Sequence, residues 1–312
     1  MKRFLLKHRM QVPIAVSPMA GVMEQSAALS LAVSNAGGLG AVPAVNLAPT
    51  ALVGAVNASL AMQDRERMVQ LNLWLPLSPE WEQALFTARG FDRRRVVVST
   101  VFGLWSTNRL SKLRAAGFHS WWAAVGSLDE ALQAEQAGAD AVVLQLPEAG
   151  GHRASLLPDL PGRAEASNPS LREVTQRLRV PVIAAGGIAC GRSMADALAA
   201  GAVAVQCGSL FLRSPEAALS RDWLAALDTQ RTTTTRIYSA RLARAMASSV
   251  EAATAVMAGA PLLTYPEQRV ATRARGIVAH MAGTEAYRSE ARPAAEIVQA
   301  MWSECQQRQK NT

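Results

Sequence analysis

The residues best suited to chemistry lie in the segment EAGGHR, from Glu148 to Arg153, directly behind the apolar run AVVLQ. Glycines at positions 150 and 151 let the backbone pass close to a bound ring, so that His152 is held over it. An imidazole titrates near neutral pH, so His152 can accept a proton from a small acid or hydrogen-bond to it. We expect no metal here, because no second histidine or cysteine lies at ligand spacing.

Two further turns are rich in glycine and also follow apolar runs. Gly186 and Gly187 come after VPVIAA, and Gly208 and Ser209 come after AVAVQC. Glycine leaves backbone N–H groups accessible to a phosphate dianion, and the Ser209 hydroxyl adds a donor. Either pair alone is equally well explained as a tight turn. Together they predict a phosphate site, for a mononucleotide cofactor or a sugar-phosphate substrate.

Two amide side chains, Asn72 and Gln145, stand within or at the end of otherwise apolar runs. Because amides both donate and accept, they could bind the edge of a flavin ring. They could equally bond the ends of neighbouring strands. The residue types alone leave both roles open.

Eight near-continuously apolar runs alternate with longer amphipathic stretches. The runs start at Ile14, Gly38, Val69, Val96, Ser120, Ala141, Val180 and Ala202. Such runs are typical of parallel strands covered on both faces, and eight strand–helix units predict a (β/α)₈ TIM barrel of the α/β class. A doubly wound sheet is disfavoured, because its G-x-G-x-x-G fingerprint is missing. In TIM barrels the loops after strands seven and eight usually bind phosphate, which is where the two glycine pairs fall.

The alternation stops after Leu212. Residues 213–284 have a helical pattern whose one strand-like run is near Ile237, and a helical stretch ends the chain. We therefore predict a barrel over 1–212, a helical cap inserted after strand eight over 213–284, and a closing helix over 285–312. The cap should cover the barrel mouth and decide specificity.

Composition narrows the classes of partner. The net charge of +8 favours anionic ligands, but the basic residues are not gathered with aromatic residues as in a nucleic-acid binder. No apolar run is long enough to span a membrane, and the first ten residues lack the apolar middle of a signal peptide. The three cysteines form no C-x-x-C pair. We expect a cytoplasmic enzyme with no nucleic-acid or membrane partner.

Several long motifs then occur in a recognisable order: SPMAGV, LAVSNAGGLG, LNLWLP, VSTVFGL, the segment from Gly138 to Arg153, and VPVIAAGGI. In these motifs the chain resembles the nitronate monooxygenase family, formerly called 2-nitropropane dioxygenases, from about Pro13 to Leu212. The resemblance implies an FMN-containing barrel without a metal. Such enzymes oxidise alkyl nitronates, and sometimes nitroalkanes, with dioxygen, so a small anionic organic substrate is expected. A homodimer is a possible assembly.

The resemblance also assigns site residues. The active-site histidine of the family falls on His152, as base or hydrogen-bond partner to the substrate. The flavin contacts fall on Met19, Ala20, Asn72, Gln145, Gly151, Gly186, Gly187, Gly208 and Ser209.

Three departures from the family pattern concern the site. Leu146 and Pro147 stand where a glycine and a small residue are usual, which reshapes the substrate pocket. The segment SEARP, residues 289–293, replaces an A-G-Q segment that helps to line the substrate side in relatives. In some relatives a cationic side chain at the end of strand five serves the flavin ring. The corresponding stretch here, AAVGS, has no cationic residue.

Two other functions fit the same residues. An NAD(P)H-dependent FMN reductase, of the quinone or enoyl-acyl carrier protein type, shares this barrel and the EAGGH turn. A flavin- or phosphate-binding accessory protein of a biosynthetic assembly would explain the altered segments at 146–147 and 289–293.

Overall fold

The computed structural model describes residues 1–23, 27–61, 64–156 and 170–311. Eight parallel strands form one sheet, and each overlaps one of the eight predicted runs. In chain order the strands are β1 (Ile14–Val16), β2 (Gly40–Pro43), β3 (Val69–Trp74), β4 (Val96–Val101), β5 (Ser120–Val125), β6 (Ala141–Gln145), β7 (Gly151–His152), β8 (Val182–Ala185), β9 (Ala204–Cys207), β10 (Thr232–Thr235) and β11 (Ala243–Met246).

The parallel sheet curls into a barrel. Its order is β1-β9-β8-β6-β5-β4-β3-β2, so β1 and β2 are its two edges. The Leu39 N–H donates to the Ile14 carbonyl over 3.0 Å, and the Val16 N–H donates to the Leu39 carbonyl over 2.9 Å. These bonds join the two edges just before β2 begins. The predicted TIM barrel is confirmed.

Helices surround the barrel and continue into the cap. They are α1 (Lys2–Lys7), α2 (Ala28–Asn35), α3 (Leu52–Leu60), α4 (Pro79–Thr87), α5 (Thr107–Ala115), α6 (Leu128–Gln136), α7 (Leu171–Arg177), α8 (Gly191–Ala199), α9 (Arg221–Asp228), α10 (Ala247–Val256), α11 (Glu267–Ala274) and α12 (Ala294–Lys310). In α4, α5, α6, α7 and α9 a serine precedes the first turn, and its hydroxyl accepts from a backbone N–H of that turn, which fixes the start of the helix. None of the helices in the described ranges combines the length and the apolar character that crossing a membrane requires.

Side chains alternate between the barrel interior and the helical layer. On β9, Val205 and Cys207 pack with residues of α8 and α12, whereas Ala204 packs inside the barrel with Ile183 of β8. The same alternation places Ala15 of β1 inside. Because the period of a strand is two, the remaining residue of β9, Gln206, also points inward.

The helix α1 closes the end of the barrel where the strands begin. Phe4 packs among the interior residues, and His8 is buried behind it. Nε2 of His8 lies 3.1 Å from the Ser120 hydroxyl and 3.3 Å from Nε1 of Trp122. Burial lowers the pKa of His8 to about 4, so the ring is neutral in the folded protein at neutral pH.

The region after β9 contains the helices α9 to α12, and it also contains two strands. Here β10 and β11 form an antiparallel hairpin, and β11 pairs with β7 so that Ala243 faces His152 and Arg244 faces Gly151. The expectation of a single strand-like run near Ile237 was wrong. The run of β-branched threonines from Thr232 carries the first strand, and the second exists because β7 supplies its partner. The boundaries at 212 and 284 stay a prediction.

The buried His8 predicts a loss of stability in mild acid. Its folded-state pKa lies below the ordinary value of 6.5, so the unfolded state binds the proton first as pH falls. We expect the free energy of unfolding to decline between pH 6.5 and 4, with up to about 3 kcal/mol due to His8. Urea titrations at several pH values, on wild type and His8→Gln, measure this. Equal pH dependence in both proteins would show that His8 is not responsible.

Candidate active site

His152 is held by its backbone across the open end of the barrel. The strand β7 ties it to β11, and the side chain of Gln145, the last residue of β6, binds the loop on the other side. Nε2 of Gln145 donates to the His152 carbonyl over 2.9 Å, and the Ala154 N–H donates to its Oε1 over 2.6 Å. Of the two roles that the sequence left open for Gln145, bonding to the neighbouring loop is the one seen.

The imidazole ring of His152 contacts one hydroxyl group and packs against two aromatic rings. Its Nε2 lies 2.7 Å from the hydroxyl of Ser239, which is buried. The rings of Trp74 and Phe102 are roughly perpendicular to it, with centroid distances of 5.0 and 6.2 Å. The Arg241 N–H donates to the same hydroxyl over 3.3 Å, so Ser239 is itself held in place. These contacts fix the orientation of the ring.

Two arginines from the region after β9 lie against these aromatic rings. The guanidinium of Arg241 lies over the rings of Phe102 and Tyr265, at 4.0 and 4.7 Å. Arg269 lies over the ring of Trp74 at 5.2 Å and also donates to the side-chain oxygen of Asn46. Positive charge therefore stands beside the His152 pocket, which favours an anionic ligand there.

Sequence reasoning missed these cap residues. Ser239 and Arg241 belong to the segment YSARLAR, which lies beyond the stretch from Pro13 to Leu212 in which the motifs resemble the family. A serine in a helical-looking segment carries no sign that it contacts His152, about ninety residues away along the chain.

The loop after β9, with Gly208 and Ser209, contacts the loop after β1 at the rim of the barrel. A Cβ added to Gly208 would lie 3.1 Å from the Cβ of Ser17 and 3.2 Å from the Sδ of Met19, so the ends of β1 and β9 are in contact. The hydroxyl of Ser209 accepts from the Gly283 N–H over 2.8 Å. The structure thus brings Met19, Gly208 and Ser209 together, with Ala20 next to Met19 in the chain.

The glycines after β8 have a packing reason of their own. Gly186 and Gly187 have φ values of +100° and +68°, which favour glycine. A Cβ on Gly186 would lie 2.9 Å from backbone atoms of Leu146 and Ala149, and one on Gly187 would lie 3.2 Å from Glu148. These two glycines let the loops after β6 and β8 pack together. Their contact with a phosphate stays a prediction.

Asn72 lies deeper, among the polar residues inside the barrel. It is buried, and its Nδ2 donates to the Ser99 hydroxyl over 3.0 Å. The end of β5 also has a cation that the sequence pattern did not reveal, because Arg153 donates to the Gly126 carbonyl over 3.2 Å. The charge comes from the His152 loop rather than from β5 itself.

The comparisons with known proteins identify the family. The family model for nitronate monooxygenase matches residues 87–302. A nitronate monooxygenase of Paraburkholderia phytofirmans is 33% identical, with 95% of this chain and 92% of the relative covered. This chain belongs to the nitronate monooxygenase family. It is therefore an oxidoreductase of a flavin-dependent family, which confirms the resemblance seen in the motifs.

Solved structures agree with this membership. A nitroalkane oxidase from Streptomyces ansochromogenes superposes with a TM-score of 0.78 at 25% identity, over 98% of this chain and 99% of that one. FabK from Thermotoga maritima superposes with a TM-score of 0.73 at 24% identity, over 99% and 97%. The likeness to FabK shows a shared fold alone.

The backbone conformation at Gly151 predicts that any side chain placed there would be strained. Its φ is +81°, while an added Cβ would meet no atom within 4 Å among the described residues. Gly151→Ala should therefore lower the free energy of unfolding by about 1–2 kcal/mol through backbone strain alone. The matched control is Gly54→Ala in α3, also unobstructed, which should raise it by about 0.5–1 kcal/mol. Urea denaturation of the three proteins tests both values, and an unchanged Gly151→Ala would contradict the strain.

Proposed function

We propose that this protein is an FMN-dependent enzyme that oxidises alkyl nitronates, and in some cases nitroalkanes, with dioxygen. The single observation that carries the proposal is the setting of His152 in a chain of this family. Its ring is oriented by Ser239, bordered by Trp74 and flanked by the arginine-bearing cap.

The residues at the rim fit an FMN. A Cβ on Gly151 would meet no atom within 4 Å in the part of the chain that the structure describes, whereas a Cβ on Gly150 would lie 2.5 Å from the backbone at Ala282 and Gly283. Gly150 is thus needed for packing, and Gly151 leaves room for a ring beside it. We assign the phosphate to Gly186, Gly187, Gly208 and Ser209, and the ring to Met19, Ala20, Asn72, Gln145 and Gly151. When bound, FMN supplies the redox centre that accepts electrons from the substrate and delivers them to dioxygen.

His152 acts on the substrate as a base, or as a hydrogen-bond partner to its nitro group. As a base, the neutral ring carries its proton on Nε2, which donates to the Ser239 hydroxyl and leaves the lone pair of Nδ1 for the substrate proton. The same Nε2–H donates to Ser239 after Nδ1 has taken up the proton, so the ring keeps one orientation.

The cap, over 213–284, supplies the preference for an anion. A nitronate is negatively charged, and the guanidinium groups of Arg241 and Arg269 stand on the aromatic residues next to His152. The net charge of +8 adds a favourable field at longer range. Since Ser239 also comes from this region, the cap contributes both to orienting His152 and to choosing the substrate.

The proposed reaction is tested with purified protein reconstituted with FMN. Under anaerobic conditions an alkyl nitronate should bleach the flavin absorbance, whereas NADH alone should not. Readmitting air should restore the absorbance and give turnover without NADH. Bleaching by NADH alone, followed by reduction of an added quinone, would assign the protein to the reductases instead.

The role of His152 is tested by substitution with asparagine. His152→Asn should keep bound FMN but lower kcat/KM for a nitroalkane about 10²–10⁴-fold, the usual worth of a general base. Steady-state oxygen consumption measures the loss. The control is His119→Asn, at the beginning of β5 on the opposite side of the barrel from this loop, which should keep its activity. If both variants stayed active, His152 would not be the base.

A further inference from the structure

The buried carboxylate of Glu130 binds the loop that carries His152. Glu130 lies in the first turn of α6, and its residue exposure is 5%. Its Oε1 accepts from the Ser155 hydroxyl over 2.9 Å and from the Leu156 N–H over 2.8 Å. Both residues lie just beyond β7, the short strand that ends at His152. A side chain of the helix α6 therefore holds the chain directly behind the histidine.

The second oxygen of the same carboxylate binds the turn after β5. Oε2 of Glu130 accepts from the Gly126 N–H over 2.8 Å. The Gly126 carbonyl accepts from the Arg153 side chain over 3.2 Å, and a Cβ on Gly126 would collide with the carbonyl oxygen of Ala154. The backbone at Gly126 thus packs directly against the residues that follow His152. Glu130 bonds to both sides of this contact.

The start of α6 does not by itself require this arrangement. The Ser127 hydroxyl caps the helix by accepting from the Glu130 N–H over 3.2 Å. In a capping box, a glutamate at this position would bind the N–H of the cap residue, Ser127. Glu130 instead binds Gly126 and the loop beyond β7. Three donors and the positive end of the helix dipole stabilise its buried carboxylate.

We propose that Glu130 is a positioning residue for His152. Its carboxylate holds the loop beyond β7 in place, so that the His152 ring keeps the orientation in which it acts on the substrate. On the cap side the backbone of His152 is bound by β11, and on the barrel side by Gln145. Glu130 supplies a third anchor, towards β5. This inference rests on the proposed function, because it needs His152 to act on the substrate.

Glu135 provides a matched control in the same helix. It lies in the last turn of α6, and its Oε1 accepts from the Arg179 N–H over 2.6 Å and from the Val180 N–H over 3.0 Å. These two residues directly precede β8, so the contact lies at the closed end of the barrel, where the strands begin. Both glutamates thus bind the backbone of a connecting segment, but at opposite ends of α6.

The experiment compares wild type, Glu130→Ala, Glu130→Gln and Glu135→Ala, each reconstituted with FMN, by oxygen consumption with nitroethane. Glu130→Ala should lower kcat about ten- to a hundredfold, the usual effect of a small misplacement of a catalytic group, with KM changed less than about threefold. Glu130→Gln keeps the shape of the side chain and one acceptor oxygen, so it should recover part of the lost kcat. Glu135→Ala should match wild type within about twofold.

A double variant tests whether Glu130 acts through His152. In the His152→Asn background, Glu130→Ala should lower kcat by less than about twofold, because the group that it positions is already gone. Thermal unfolding of every variant checks that it is folded at the assay temperature. If Glu130→Ala does not fold, the same comparisons are made with Glu130→Gln, which should then show a lower kcat than wild type.

The outcomes separate this inference from the function on which it rests. An active wild type together with an unchanged kcat in the folded Glu130 variants would overturn the role of Glu130 alone. Equal losses in Glu130→Ala and Glu135→Ala would also overturn it, by showing a general loosening of α6. A full further loss in the His152→Asn background would show that Glu130 acts elsewhere. A wild type that oxidises neither nitroethane nor its nitronate would overturn the proposed function and this inference with it.

Discussion

The short antiparallel pairing of Gly151 and His152 with Arg244 and Ala243 is the contact on which the site depends. It joins the loop after the sixth strand of the barrel to the hairpin of the cap. The side chain of Gln145 binds the same loop from the barrel side. The same pairing brings the segment from Ser239 to Arg241 against the His152 ring, so one backbone contact places the histidine, its hydroxyl partner and a cation together.

The barrel interior changes from apolar to polar between its closed end and its open end. Its closed end is filled by apolar residues and by the neutral, buried His8 beneath α1. Polar side chains become frequent towards the open end, where Asn72, Gln145 and Gln206 point inward. Buried amides need hydrogen-bond partners. Asn72 finds one on the neighbouring strand and Gln145 finds its partners on the loop backbone, whereas Oε1 of Gln206 has no donor among the described residues.

Much of the fold could be read from the chain because its signals are local. The signals are eight apolar runs of strand length and the serines that precede several helices. Each depends only on a few consecutive residues, so it can be recognised without the tertiary structure. The glycines at 150, 186 and 187 were recognised for the same reason. Their detailed purpose was not, since Gly150 and Gly186 prove to admit neighbouring backbone rather than only a ligand.

The sequence by itself determined the barrel and the family, because periodicity and long ordered motifs are written in consecutive residues. Only the tertiary structure decided that β11 is a strand, since its pairing with β7 spans some ninety residues and no local propensity encodes it. It likewise decided that Ser239 contacts the His152 ring and that Arg241 lies over Phe102 beside it. Contacts between distant segments depend on how the whole chain folds, and the residue type at a single position does not specify its distant neighbours.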